Sequence, residues 1–128
     1  MAIDYGEKRI GIAVSDETKT IAQPKPYCKS RREVLEFITE YEAEKILLGL
    51  PAGLGGQETA AGKKVREFGD FLAVETKLPV EFINERFTTA EALKQLRGEG
   101  QSASGSREFV DSLVAQKMLE RYLEKISN

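Results

Sequence analysis

Three carboxylates stand where a carboxylate needs explaining. Asp4 sits between Ile3 and Tyr5 in a segment that reads as strand, and a carboxylate in mid-sheet is costly unless it is paired or bound to a metal. Glu85 directly follows Val80-Glu-Phe-Ile-Asn84, an expected parallel strand, and ligands of open α/β sheets bind at the carboxyl ends of the strands. Asp111 lies between Val110 and Leu113 on the last expected helix, with Ala115 and Met118 on its own stripe, so it borders the apolar face. Each has a plain alternative: a strand-end Asp4 reaching solvent or a turn amide beside Gly6, a loop Glu85 that caps or pairs with Arg86, and a first-turn Asp111 favoured by the helix dipole. Jointly they suggest more. Converging carboxylates repel, so they need a divalent cation, and oxygen-only ligands suit Mg²⁺ or Mn²⁺. Two such ions would clamp the attacking and leaving oxygens of a phosphodiester and generate hydroxide without a histidine base.

The elements that must position these acids follow from hydrophobic patterning. Ile10, Ile12 and Val14 alternate with small residues after the Gly6 turn, predicting two strands within 2–15. A third extended piece over Thr20 to Tyr27 carries Pro24 and Pro26, which suit only an edge strand. Ser30-Arg-Arg-Glu33 is a capping box, and Val34, Leu35, Ile38 and Tyr41 follow at helical spacing, predicting a helix from Arg31 to Glu42. Lys45 to Leu50 reads as a strand covered on both faces, and Gly53 to Gly56 as a loop. Ala61, Val65, Phe68 and Leu72 make one stripe of a helix from Glu58 to Thr76, and Val80 to Asn84 gives a fifth strand. Thr88-Thr-Ala-Glu91 is a second capping box opening a short helix to Leu96. Gly98 to Ser106 reads as a mobile loop, and a final helix from Arg107 to Lys125 draws much of its apolar side from Val110, Leu113, Val114 and Leu119. The expected class is α/β: a three-stranded antiparallel meander plus two parallel strands, covered by helices, as one domain over 1–128.

Composition narrows the chemistry. The chain has 128 residues, 41% hydrophobic and 31% charged, an ordinary globular balance. No apolar run approaches the roughly 18 residues of a membrane span, and the start is too short and acidic for a signal peptide, so a cytoplasmic location is expected. One cysteine, Cys28, and no histidine exclude a disulfide framework, a Cys/His zinc site, a Ser-His-Asp triad and a Cys-His pair. With 19 basic against 21 acidic residues, no overall basic field drives the chain onto nucleic acid. Local basic clusters exist at Lys8-Arg9, at Lys29 with Arg31-Arg32, and at Lys63-Lys64 with Arg66.

Ile3-Asp-Tyr-Gly-Glu-Lys-Arg-Ile-Gly-Ile-Ala-Val-Ser-Asp16, Leu48-Gly-Leu-Pro51, Asn84-Glu-Arg-Phe-Thr-Thr89 and Val110-Asp-Ser-Leu-Val-Ala-Gln116 resemble, in order over essentially the whole chain, the motifs of the YqgF-type family. These are RNase H-like proteins described as Holliday-junction-resolvase-like or as nucleases maturing the 5′ end of pre-16S rRNA. The resemblance implies an RNase H-like fold and a metal-binding acidic triad of Asp4, Glu85 and Asp111. Asp4 would be shared by two Mg²⁺ or Mn²⁺ ions, with Glu85 and Asp111 each completing one site. Lys8, Arg9 and Arg86 become candidates for holding substrate phosphates. The implied partner is structured RNA or branched DNA, with no membrane involved and the chain a monomer or weak dimer.

Three departures from the family pattern stand out. The first strand begins almost at the chain start, so a short strand or a clipped start is expected. Asn84 replaces the usual aspartate before Glu85, which tunes the site without removing a ligand. Ser104-Gly-Ser-Arg107-Glu-Phe is less basic than is typical, which implies weaker substrate grip. Two other classes compete. The Asp4-x-Gly6 hairpin also resembles the phosphate loop of sugar-kinase and actin-like ATPases, but those need two such subdomains and 128 residues supply one. The fold could also serve as a non-catalytic module binding ribosome precursors. Gly62-Lys63 is followed by Lys64 where a phosphate-binding P-loop requires Ser or Thr.

Overall fold

The computed structural model describes residues 1–51, 59–84 and 103–126, the side chains of 84 and 103–111 excepted. Its elements run β1 (Ala2–Asp4), β2 (Ile10–Ser15), β3 (Ala22–Cys28), α1 (Arg31–Glu40), β4 (Ile46–Leu50), α2 (Ala60–Thr76), β5 (Val80–Asn84) and α3 (Ala103–Ile126). The expected loop at Gly53 to Gly56 and the short helix from Thr88 to Leu96 lie outside the described residues.

The five strands form one sheet in the order β3-β2-β1-β4-β5. β1 pairs antiparallel with β2, and β2 with β3; β1 pairs parallel with β4, and β4 with β5. This is the expected meander joined to two parallel strands, with β1 only three residues long. β3 sits at the edge, where Pro24 and Pro26 leave no inner ladder short of a donor. Its register against β2 shifts between Ile10, opposite Cys28, and Ile12, opposite Lys25, so Pro26 and Tyr27 bulge against Gly11.

Strand alternation sorts the side chains by size and thereby assigns the helices. Ile3, Ile10, Ile12, Val14, Ile46 and Leu48 face one core, which also contains Val34 and Ile38 of α1 and Val65, Phe68 and Leu72 of α2. The opposite face presents Ala2, Ala13, Ala22 and Leu47 to Ala115, Met118, Leu119 and Leu123 of α3. Small residues on that face let a long helix lie close to β1, β2 and β3, while β4 is buried on both sides as its continuous apolar run requires.

Several boundaries differ from the sequence reading. α1 starts as expected at the Ser30 cap, whose Oγ accepts the Glu33 N–H at 3.2 Å, while the Glu33 carboxylate accepts the Lys29 N–H at 2.8 Å. It stops at Glu40 because Glu42 turns left-handed, at φ 51°, and Ala43 N–H folds back to the Ile38 carbonyl. α2 is capped by Thr59, and Gly62 rather than Ala61 occupies the buried stripe. α3 begins at Ala103, four residues before the expected Arg107. The small residues of Ala103 to Ser106 carry no apolar signal but are sterically able to form a first turn, and no proline interrupts them.

Candidate functional site

Asp4 is the last residue of β1, half-buried at the carboxyl end of the sheet's central strand. Ala2 faces α3 and Ile3 the opposite core, so alternation returns Asp4 to the α3 face. Its paired neighbour on β2 is Gly11. On the other side β1 runs in register with β4 through Ile3 and Leu48, and the next residue of β4 is Gly49. The Asp4 row therefore has a residue without a side chain on each flank. Gly49, part of the Leu48-Gly-Leu-Pro51 motif, belongs to this arrangement, and only the strand register exposes its relation to Asp4.

The last helix is indexed against this row by Ser112, a residue the sequence reading passed over. Ser112 is fully buried. Its Oγ accepts the Ile12 backbone N–H at 3.0 Å and donates to the Lys25 carbonyl beside the β3 bulge. Ile12 pairs with Ile3, one row from Asp4. Gln116 reaches the Ala22 carbonyl at 3.2 Å one turn later, so α3 runs from the Asp4 end of the sheet towards the opposite end. Position 111 precedes Ser112 and stands at helical spacing from Ala115 and Met118, both of which are buried. The signal was present: a small polar residue three positions before Ala115 and seven before Leu119 on one stripe.

The β1–β2 connection carries Lys8 and Arg9, both exposed, at this same end. Arg9 lies over the Tyr27 ring at 5.7 Å, and Glu7 forms an ion pair with Lys64 of α2. Lys64 accordingly holds the Glu7 carboxyl below the usual carboxylate range. Gly6 permits the turn, because a Cβ there would stand 2.5 Å from the Arg9 carbonyl oxygen.

Glu85 and Arg86 lie outside the described residues. β5, which they follow, is parallel to β4 and β1, so its Asn84 end and Asp4 belong to the same edge of the sheet, two strand spacings or about 10 Å apart. Among the described residues no group of three or more acidic, cysteine or histidine side chains is placed to hold a metal. Asp4 and the backbone of position 111 come to one end of the sheet.

A cavity of about 350 Å³ opens at the opposite end, lined by Val14, Lys45, Leu119, Tyr122 and Ile126 among others. Asp16, also on its wall, is taken up by turn structure. Its carboxylate accepts the Thr18 hydroxyl at 2.6 Å and the Thr20 and Ile21 N–H groups at 2.8 and 3.0 Å. Those bonds, the Thr18 one foremost, hold its carboxyl below the ordinary range. No helix among the described residues is long and apolar enough to cross a membrane.

Comparison with known proteins adds independent findings. The family model described as RuvX, Holliday junction resolvase, matches residues 1–125. A protein of Agathobacter rectalis named "Putative pre-16S rRNA nuclease" is 34% identical over 137 residues, covering 100% of this chain and 96% of that protein. A protein of Desulforudis audaxviator with the same name is 37% identical, over 96% of this chain and 92% of its own length. Among solved structures, Thermus thermophilus RuvC in complex with a Holliday junction substrate superimposes with a TM-score of 0.58 at 17% identity, covering 98% of this chain and 94% of that one. The likeness is one of fold, and the fold is RNase H-like.

Proposed function

This chain belongs to the RuvX, or YqgF-type, Holliday junction resolvase family, and from that membership we propose that it is a metal-dependent nuclease that processes the 5′ end of pre-16S rRNA in the cytoplasm. The observation that carries the reading is full-length similarity, at 34% and 37% identity, to relatives bearing the pre-16S rRNA nuclease name. The family model's own description favours a second substrate, the DNA four-way junction.

In this reading Asp4, Glu85 and Asp111 would hold Mg²⁺ or Mn²⁺. The residues suit that role: the donors are all oxygen, and Asp4 ends the central strand of the sheet between two residues without side chains, Gly11 and Gly49. When bound, such ions supply Lewis acidity to the phosphate and acidify the attacking water. The chain's own cations do the positioning. Lys8, Arg9 and Arg86 bind the phosphates on either side of the scissile bond, and Gly6 with the Glu7–Lys64 pair fixes the loop from which Lys8 and Arg9 project. The chain contains no histidine, so no imidazole takes part in proton transfer.

The test is cleavage by the purified protein of an RNA carrying the 5′ precursor segment and of a DNA four-way junction, each with Mn²⁺ or Mg²⁺ and with chelator. Metal-dependent cutting of the RNA supports the proposal, and cutting of the junction alone supports the second reading. A folded protein that cuts neither overturns both and leaves a binding module.

A further inference from the structure

The three basic clusters of the sequence, far apart along the chain, meet at one end of the molecule. Segments 4–9, 29–33 and 59–64 adjoin the sheet edge that holds Asp4, and they carry seven Lys or Arg against three Asp or Glu. Segments 16–21, 40–45 and 75–81 adjoin the opposite edge and reverse the ratio, with three against seven. Among these described segments, in a chain of net charge −2, the Asp4 end is thus the more basic and the opposite end the more acidic, and a polyanion is oriented by such an asymmetry.

The basic end also carries aromatic support. The Tyr5 ring, next to Asp4, lies 4.6 Å from the Phe68 ring. The Arg31 guanidinium sits over Phe68 at 5.6 Å and over Phe71 at 5.0 Å. A guanidinium laid on a ring is held in orientation while its in-plane N–H fork remains suited to a phosphate. Contacts therefore run without a break from the residue beside Asp4, across Phe68, to Arg31, and Lys63 is exposed on the first turn of the helix that carries Phe68.

We infer that nucleic acid extends beyond the acidic centre along a second binding surface, the Arg31–Lys63 ridge of α1 and α2, on the sheet face opposite α3. The ligand it takes is the phosphodiester backbone flanking the cleaved bond. This inference rests on the nuclease reading but is tested apart from cleavage.

Binding of a fluorescein-labelled RNA hairpin with a single-stranded 5′ extension, and of a DNA four-way junction, is measured by anisotropy in EDTA across a salt series. The wild type is compared with Arg31→Gln/Lys63→Gln and with Lys19→Gln/Lys77→Gln, which removes the same charge at the acidic end; circular dichroism checks that each is folded. The ridge variant is expected to bind about tenfold more weakly at low salt, with a log–log salt slope reduced by about 1 to 2, while the acidic-end variant stays within about twofold of wild type. Equal weakening in both variants, or none in the ridge variant, overturns the inference. Cleavage with Mn²⁺ is run in parallel: a protein that cuts, but whose ridge variant binds like wild type, loses the ridge alone. One that binds through the ridge and never cuts loses the nuclease reading alone.

Discussion

Ser112 Oγ accepts the Ile12 backbone N–H at 3.0 Å from inside the interface between the last helix and the sheet. Because Ile12 and Ile3 are cross-strand partners, this bond fixes how far α3 slides along the sheet, and so how near position 111 comes to the Asp4 row.

Replacing Ser112 with Ala leaves the buried Ile12 N–H without its acceptor, a loss of about 1–3 kcal/mol. Urea denaturation of Ser112→Ala is expected to show a lower midpoint at unchanged slope. Cleavage in native buffer should fall further than the folded fraction does, because the helix loses its index as well as its stability. An unchanged midpoint would mean that the bond fixes nothing.

Gly6→Ala tests the β1–β2 turn. The added Cβ meets the Arg9 carbonyl oxygen at 2.5 Å, a backbone atom that cannot swing aside, so the turn opens at a cost of about 1–3 kcal/mol. Weaker nucleic-acid binding should accompany the lower melting temperature, since Lys8 and Arg9 ride on that turn.

Cys28 is fully buried, and burial, followed by the nearby Glu33 and Glu36 carboxylates, pushes its thiol up to about 12. The folded protein should therefore resist iodoacetamide at neutral pH and react fully in urea. The unfolded chain ionises this thiol from about pH 9 while the folded one holds its proton, so the contribution to stability is intact below that pH and declines above it. Urea midpoints at successive alkaline pH values, compared with those of Cys28→Ala, isolate this slope.

Asp16 has the opposite sign. The Thr18 hydroxyl and the Ile21 and Thr20 amides hold its carboxyl below the usual range, so its contribution is present at neutral pH and is lost as pH falls through the acid range. Asp16→Ala should lower the melting temperature at pH 7 and differ less from wild type at pH 3.

Much of this architecture was legible because local rules agreed. Alternation at Ile10, Ile12 and Val14, the capping box from Ser30 to Glu33 and the prolines of β3 each indicated the observed element. What escaped depends on register or on tertiary surroundings. Gly49 reads as an ordinary strand glycine until β4 is aligned with Asp4. Ser112 resembles any polar helix residue until its stripe meets β2, and Asp16 closes the first motif while its role lies in the turn that follows. The basic end could not be read from a net charge of −2, because three clusters some twenty to thirty residues apart meet only when β1, β3 and α2 are assembled. Asp4 was legible as an anomaly from its strand alone.

The central claim is that the Asp4 carboxylate holds the catalytic cation. Its most direct test compares wild type with Asp4→Asn in cleavage of the 5′ precursor RNA and the DNA four-way junction, with Mn²⁺ or Mg²⁺ and with chelator. The expected result is metal-dependent cutting that falls in the folded variant by more than the about 10–100-fold cost of losing a metal's outer-shell partners. Asp4→Asn that cuts as fast as wild type would contradict the claim.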